Sequence, residues 1–167
     1  KTMKDKVCSY LDQVGVWLES PDLVENAYNP VNVFTRTFMA IDSVGFAAAV
    51  LEGIDAGKAL KAVIDAGDSE KLTAASYAAL QTGGAWSVER LRDLQDGDFL
   101  LCNESEMVLV RKVLSPDATD VFYSSPETGV CKDRMRLSKT ENGMLLGFEK
   151  REDLVVEKMM VLRLASC

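Results

Sequence analysis

The chain has 167 residues, 47% of them hydrophobic and 27% charged, and its 19 Lys and Arg against 26 Asp and Glu leave a net charge of −7. This composition is that of a folded globular chain and excludes an intrinsically disordered one, and the length predicts one domain or two small subdomains that share a core. Because there is no histidine, a Ser-His-Asp triad, a Cys-His dyad and a histidine-ligated metal are excluded.

The first 18 residues carry apolar side chains at steps of three and four, the spacing of one face of an α-helix. Ser20-Pro21 is expected to end this helix, because proline disfavours helical geometry in the residue before it. The N-terminus lacks the uninterrupted apolar stretch of a secretory signal, and the most apolar run, residues 46–51, is far shorter than a membrane-spanning helix. We therefore expect a cytoplasmic protein that does not associate with membranes.

Helix starts at Asp, Ser or Asn-Pro and helix stops at Gly recur as far as Gly83-Gly84. They predict further short helices over residues 30–40, from Asp42 or Ser43 to Gly53, from Asp55 to Gly67, and from Asp68 or Ser69 to Gly83. The sequence thus predicts a compact helical subdomain over residues 1–84.

After Gly84 a short helix is predicted over residues 88–94, with Leu91 and Leu94 joining the two halves of the molecule. Turn residues then separate apolar runs that predict strands over residues 99–102, 107–114, 121–124, 130–138, 144–149 and 155–164. The last run also fits a helix. Connections of four to six residues cannot hold a crossover, so neighbouring strands should pair antiparallel.

The predicted fold class is therefore α+β. An N-terminal compact helical segment, residues 1–84, precedes a C-terminal antiparallel β-meander, residues 85–167. The meander is expected to form a twisted sheet or a small barrel packed on the helices.

One hairpin can be predicted in more detail. Asn142-Gly143 between two strand-like runs favours a two-residue type I′ turn. If Glu141 then faces Met144, Leu137 lies opposite Phe148 on an apolar face of the hairpin.

The other face of that hairpin carries a basic stripe, defined as Lys132, Arg134 and Arg136. The same register places Arg151 across from Arg134 and Glu149 across from Arg136. These four cations are the candidate partner-binding residues, for a phosphate, an RNA backbone or an acidic protein surface. The alternative interpretation is an ordinary solvated strand face.

Residues that could carry other chemistry do not form a recognisable site. Asp93, Asp96 and Asp98 around Gly97 could hold a hard cation, but their spacing is not that of a calcium loop, and aspartates also form turns before strands. The four cysteines contain no C-x-x-C pair and are interpreted as free thiols. No catalytic residue, no metal site and no cofactor are predicted.

Strong acidity without a catalytic motif predicts a non-catalytic regulatory or interaction protein that binds a basic protein surface as an inhibitor or adaptor. One alternative is a carboxylate-based enzyme or a small-ligand-binding domain with a cleft between sheet and helices. The other is an RNA-binding β-barrel that uses the basic stripe. Acidity disfavours non-specific DNA binding, and no oligomeric state is assigned. Without histidine, binding is expected to vary little between about pH 6 and 8.

Overall fold

The computed structural model describes residues 2–19, 43–54, 86–103, 105–125, 127–141 and 143–164. Helix α1 spans Met3–Glu19, helix α2 spans Ser43–Gly53, and a 3-10 turn, η1, spans Leu91–Asp93. The strands are β1 (Trp86–Glu89), β2 (Phe99–Cys102), β3 (Glu106–Ser115), β4 (Ala118–Ser125), β5 (Gly129–Thr140), β6 (Gly143–Phe148), β7 (Arg151–Val156) and β8 (Met159–Leu164). The helices predicted over residues 30–40 and 55–83 lie outside the described residues.

The two described helices agree with the sequence prediction. Helix α1 ends one residue before Ser20-Pro21, and its predicted apolar face buries Val7, Leu11 and Val14 completely. Helix α2 ends at Gly53, where a Cβ would lie 2.4 Å from the Tyr10 ring. The glycine therefore lets the end of α2 approach α1 closely.

The eight strands form one antiparallel sheet in the order β1-β8-β2-β3-β4-β5-β6-β7. Strands β2 to β7 each pair with their neighbours along the chain, as predicted for a meander, and β8 returns to lie between β1 and β2. Within the described residues no register joins β7 to β1. The α+β class is confirmed, and the sheet does not close into the alternative barrel.

The open sheet is nevertheless strongly curled. Only Glu157 and Lys158 connect β7 to β8, although in a flat sheet these strands would stand six spacings, or about 29 Å, apart. The guanidinium of Arg151 on β7 donates to Glu106 at the start of β3 at 3.1 Å. The Asn103 side chain after β2 accepts from both connecting amides, at 2.8 and 3.1 Å. These contacts bring the far end of the sheet round to β2 and β3.

Strand alternation divides the apolar residues between two cores. One face, here called the helix face, packs under α1 and α2 with a core that includes Val7, Leu11, Phe46, Val50, Leu51, Phe99, Leu101, Leu109, Phe122 and Leu162. The opposite face gathers residues from β2 through β8 into one cluster and is here called the concave face. Its core includes Leu100, Val108, Val110, Val121, Tyr123, Met135, Leu146, Phe148, Val156 and Val161.

Two predicted elements are wrong. Residues 86–89 form strand β1, paired with β8, and the predicted helix over residues 88–94 is reduced to the turn η1. The single element predicted over residues 155–164 is the end of β7 followed by β8. Both errors concern strands whose partners are distant in sequence, a feature that local patterns do not report.

The hairpin between β5 and β6 forms with a register different from the predicted one. Thr140 pairs with Gly143, and Leu137 lies opposite Leu146 rather than Phe148. The shift of two positions leaves every side chain on its predicted face. It also places two leucines opposite each other, whereas the predicted register put Lys139 opposite Leu146.

Candidate functional site

The basic stripe lies along one face of β5, and its arginines are neutralised by neighbouring carboxylates. Arg134 Nε donates to Asp120 on β4 at 3.1 Å, and Arg136 Nε donates to Glu149 at 3.1 Å. Lys132 is exposed and lies in no ion pair among the described residues. The stripe is therefore a row of surface ion pairs with one cation unneutralised.

Arg151 lies apart from the stripe. The turn after Phe148 makes it the first residue of β7, so the predicted pairing across from Arg134 is wrong. Its side chain is buried, and Nη1 donates to both carboxylate oxygens of Glu106 at 3.1 Å. Glu127 approaches its Nε at 3.9 Å. In this position Arg151 ties β7, the last strand of the curled sheet, to the start of β3.

A second lysine beside the stripe was missed by the sequence prediction. Lys150 Nζ donates to the Lys132 carbonyl at 2.6 Å, and the Lys150 amide donates to Asp133. Both lysines line a cavity of about 630 Å³ between α1 and strands β4 and β5, together with Asp12 and Glu19. Charges of both signs therefore meet in this cavity.

The aspartates around Gly97 hold the chain at the start of β2. Asp98 is fully buried and accepts from Arg163 Nε at 2.8 Å and Nη2 at 2.9 Å. Asp96 accepts from the Val113 amide at 2.8 Å. Hydrogen bonding to Asp98, and then the charge of Asp98, raise the pKa of Arg163. Within the described part of the chain no three His, Cys, Asp or Glu residues form a metal-binding group.

A second buried carboxylate, Asp133, is also occupied by structural bonds. It accepts from the Tyr123 hydroxyl at 2.6 Å and from the Lys150 amide at 3.0 Å. Burial and this hydrogen bond raise the pKa of Tyr123. Asp133 thus fixes the turn between β6 and β7.

The three described cysteines are free thiols, and two of them lie within the sheet. Cys102 and Cys131 are buried, and burial raises the pKa of Cys102 to about 12. Burial also raises the pKa of Cys8. Since the thiolate is the nucleophile, protonated thiols of this kind are poor catalytic groups.

A pocket of about 510 Å³ opens on the concave face, between η1 and strands β3 to β6. Its apolar lining consists of Leu91, Leu94, Val113, Met135, Leu137 and Leu146, and its polar lining of Arg92, Ser115, Asp117 and Thr119. Leu91 and Leu94 therefore pack on the face opposite α1 and α2, rather than joining the sheet to the helices.

Among the described residues that line the pocket, Asp117 is the one carboxylate. A hydrogen bond from the Ser115 hydroxyl lowers the pKa of Asp117. A lone carboxylate held in its ionised form does not provide the acid and base pair of a carboxylate enzyme.

No helix in the described residues is both long and apolar enough to cross a membrane. No family model, no curated protein and no solved structure matches the chain.

Proposed function

We propose that this protein is a non-catalytic interaction protein that binds a basic surface of another protein, as an inhibitor or an adaptor. The observation that carries the proposal is that nearly all described arginines are paired with carboxylates of the same chain. Of the seven arginines in the described residues, all but Arg90 lie in ion pairs with carboxylates. The six paired ones are Arg92, Arg111, Arg134, Arg136, Arg151 and Arg163.

Internal pairing of the arginines leaves the negative excess at the surface. The chain carries a net charge of −7, and Glu141, Glu152 and Glu157 are exposed. Among the described residues, none of these three glutamates lies in an ion pair. Such a surface attracts a basic partner at long range and repels nucleic acid backbones.

The same ion pairs weigh against the two alternatives. The buried carboxylates, Asp98 and Asp133, are saturated by structural donors, which supports a role in stability rather than in acid–base catalysis. Arg134 and Arg136 would have to leave their carboxylates to bind RNA phosphates. Because breaking those pairs costs free energy, the stripe should bind RNA more weakly than unpaired arginines would.

The proposal is tested by affinity purification from the source cell, followed by binding measurements with the purified partner from low to moderate salt. The informative variant combines Glu141→Gln, Glu152→Gln and Glu157→Gln. Removing these three exposed negative charges should weaken the affinity for the partner at low salt by about tenfold and make it less dependent on salt. The partner is expected to be basic.

The matched control neutralises three exposed lysines, in the combined variant Lys6→Gln, Lys112→Gln and Lys132→Gln. It changes the same number of charges with the opposite sign and should bind the basic partner as tightly as the wild type, or more tightly. An acidic partner, or an affinity that does not respond to salt, would contradict the proposal.

A separate arm addresses RNA. Replacing Lys132, Arg134 and Arg136 together by Ala should leave binding of the basic partner intact. If the wild type instead binds RNA and this variant does not, the RNA alternative is correct and the proposal is overturned.

A further inference from the structure

The pocket on the concave face has the size and the walls of a small-molecule site. Its volume of about 510 Å³ falls in the range of roughly 300 to 1,000 Å³ usual for such sites. Leu91, Leu94, Val113 and Leu137 line it and remain partly exposed. Covering these side chains would remove apolar surface from water, the main favourable contribution to ligand binding.

The walls of the pocket are held in place independently of any ligand. Strands β3 to β6 pair continuously with one another, except at the bulges in β3. The turn η1 is tied to β8 because Arg163 Nη2 donates to the Asp93 carbonyl at 2.7 Å. A pocket with fixed walls binds a ligand without first ordering its own side chains.

One hydroxyl in the wall is accessible from the pocket. Thr119 is 4% exposed and lies in register between Val113 and Met135, both on the concave face. Its hydroxyl makes no hydrogen bond with the described residues, in contrast to Ser115, which donates to Asp117. The Thr119 hydroxyl is not among the fully buried atoms that lack a partner, so water reaches it from the pocket. A ligand group that replaces this water with a direct hydrogen bond gains specificity.

The charged residues of the lining do not demand a charged ligand. The Arg92 side chain is 71% exposed, and Asp117 is exposed and bonded to Ser115. Both charges remain solvated at the mouth, while the interior offers apolar side chains and the Thr119 hydroxyl.

We propose that this pocket binds a small, uncharged ligand that has an apolar ring and one hydroxyl group, with Thr119 bonding to that hydroxyl. The site is independent of the proposed protein partner, because it involves none of the exposed glutamates on which that interaction rests.

Phenol and toluene are suitable probes, since they differ by a hydroxyl in place of a methyl group. Methyl NMR spectra of the full chain are recorded during titration with each probe. Phenol should cause saturable shifts at the methyl groups of Leu91, Leu94, Val113, Leu137 and Leu146. The absence of saturable shifts, or shifts spread over the helix face as well, would overturn the proposal.

Thr119→Val tests the hydroxyl separately, because valine keeps the shape and the β-branching of threonine. We expect phenol to bind this variant about tenfold more weakly, while the affinity for toluene stays the same or rises. An equal loss for both probes would contradict the role of Thr119.

Leu137→Trp tests the position of the site by filling the pocket from a half-buried residue. Both probes should then lose their saturable binding, and the methyl spectrum confirms that the variant is folded. Probe binding that survives in this folded variant would place the site elsewhere and overturn the proposal.

Discussion

At Gly97, two residues before β2, the backbone lies close to the first turn of α1. Its φ is +88°, and a Cβ at this position would lie 2.8 Å from Lys4 Cγ and 3.1 Å from the Lys4 carbonyl oxygen. Gly97→Ala combines backbone strain with a clash against α1. We expect it to lower the free energy of unfolding by about 2 to 4 kcal/mol, as measured by urea denaturation.

Gly129 provides the matched control, because its φ of +64° is also left-handed but nothing lies within 4 Å of its missing Cβ. Gly129→Ala should cost only the backbone strain, about 1 to 2 kcal/mol. Equal losses for Gly97→Ala and Gly129→Ala would show that the contact with α1 does not contribute.

Two buried groups predict how stability depends on alkaline pH. The pKa of Cys102 is raised by burial from 9.0 to about 12, and that of Tyr123 is raised by burial and by its bond to Asp133. Since the folded protein holds these protons more tightly than the unfolded chain, their contribution is complete below about pH 9. It falls as the pH rises from there, and the contribution of Cys102 is lost as the pH passes through about 12.

The expected result is a free energy of unfolding that is flat between pH 6 and 8, where the chain has no histidine to titrate, and that falls from pH 9 upward. Urea midpoints measured across this range provide the test. Cys102→Ala and Tyr123→Phe should each flatten the alkaline decline. A steep change between pH 6 and 8 would disprove the assignment.

Helix α2 is anchored to the sheet by its first residue. Ser43 is buried, and its Oγ accepts a hydrogen bond from the Met107 amide of β3 at 2.9 Å. Ser43→Ala leaves that buried amide without this partner, so the free energy of unfolding should fall by about 1 to 3 kcal/mol. Chemical denaturation measures the loss.

Ser138→Ala is the control for this element, because Ser138 is exposed on β5. Its effect should stay within about 0.5 kcal/mol. If the two serine variants are equally stable, the bond from Met107 does not position α2.

At the scale of elements, the sequence predicts a helix or strand well when the contacts that form it lie close together in the chain. Helix α1 and strand β2 were predicted closely because their apolar periodicity and their end signals lie within the element itself. Strand β1 was missed because its conformation depends on pairing with β8, about 75 residues further along the chain. The predicted hairpin register was wrong because two registers that differ by two positions place every side chain on the same face, so the apolar pattern does not distinguish them.

At the scale of the whole molecule, a partly buried ion pair stabilises the curl of the sheet. Arg151 on β7 and Glu106 on β3 are separated by three intervening strands in the sheet order, yet they form a two-pronged contact. Arg151→Met leaves the Glu106 charge without its main partner. Glu106→Gln leaves the Arg151 charge without its main partner. Each variant should lower the free energy of unfolding by about 3 kcal/mol.

A double-mutant cycle with urea denaturation isolates the pair. The combined variant should lose about 1 to 3 kcal/mol less than the sum of the two single variants, because the pair is broken only once. Additive losses would show that the two residues stabilise the sheet separately.

The sequence by itself determined the α+β class, the α1 face, the antiparallel meander and the presence of the basic stripe on one strand face. These features depend on periodicity and turn residues within a few positions of one another. It also excluded catalysis and metal binding by histidine, because the composition alone shows that the chain has none.

Only the tertiary structure decided that the sheet stays open and curled and that Arg151 is buried against Glu106. It also decided that the two arginines of the stripe are neutralised by Asp120 and Glu149. It also created the pocket around Thr119, whose lining comes from η1 and four strands. These features arise from contacts between residues far apart in the chain, whose charges and shapes are compatible with many partners. The curl of the sheet decides which of these residues come into contact.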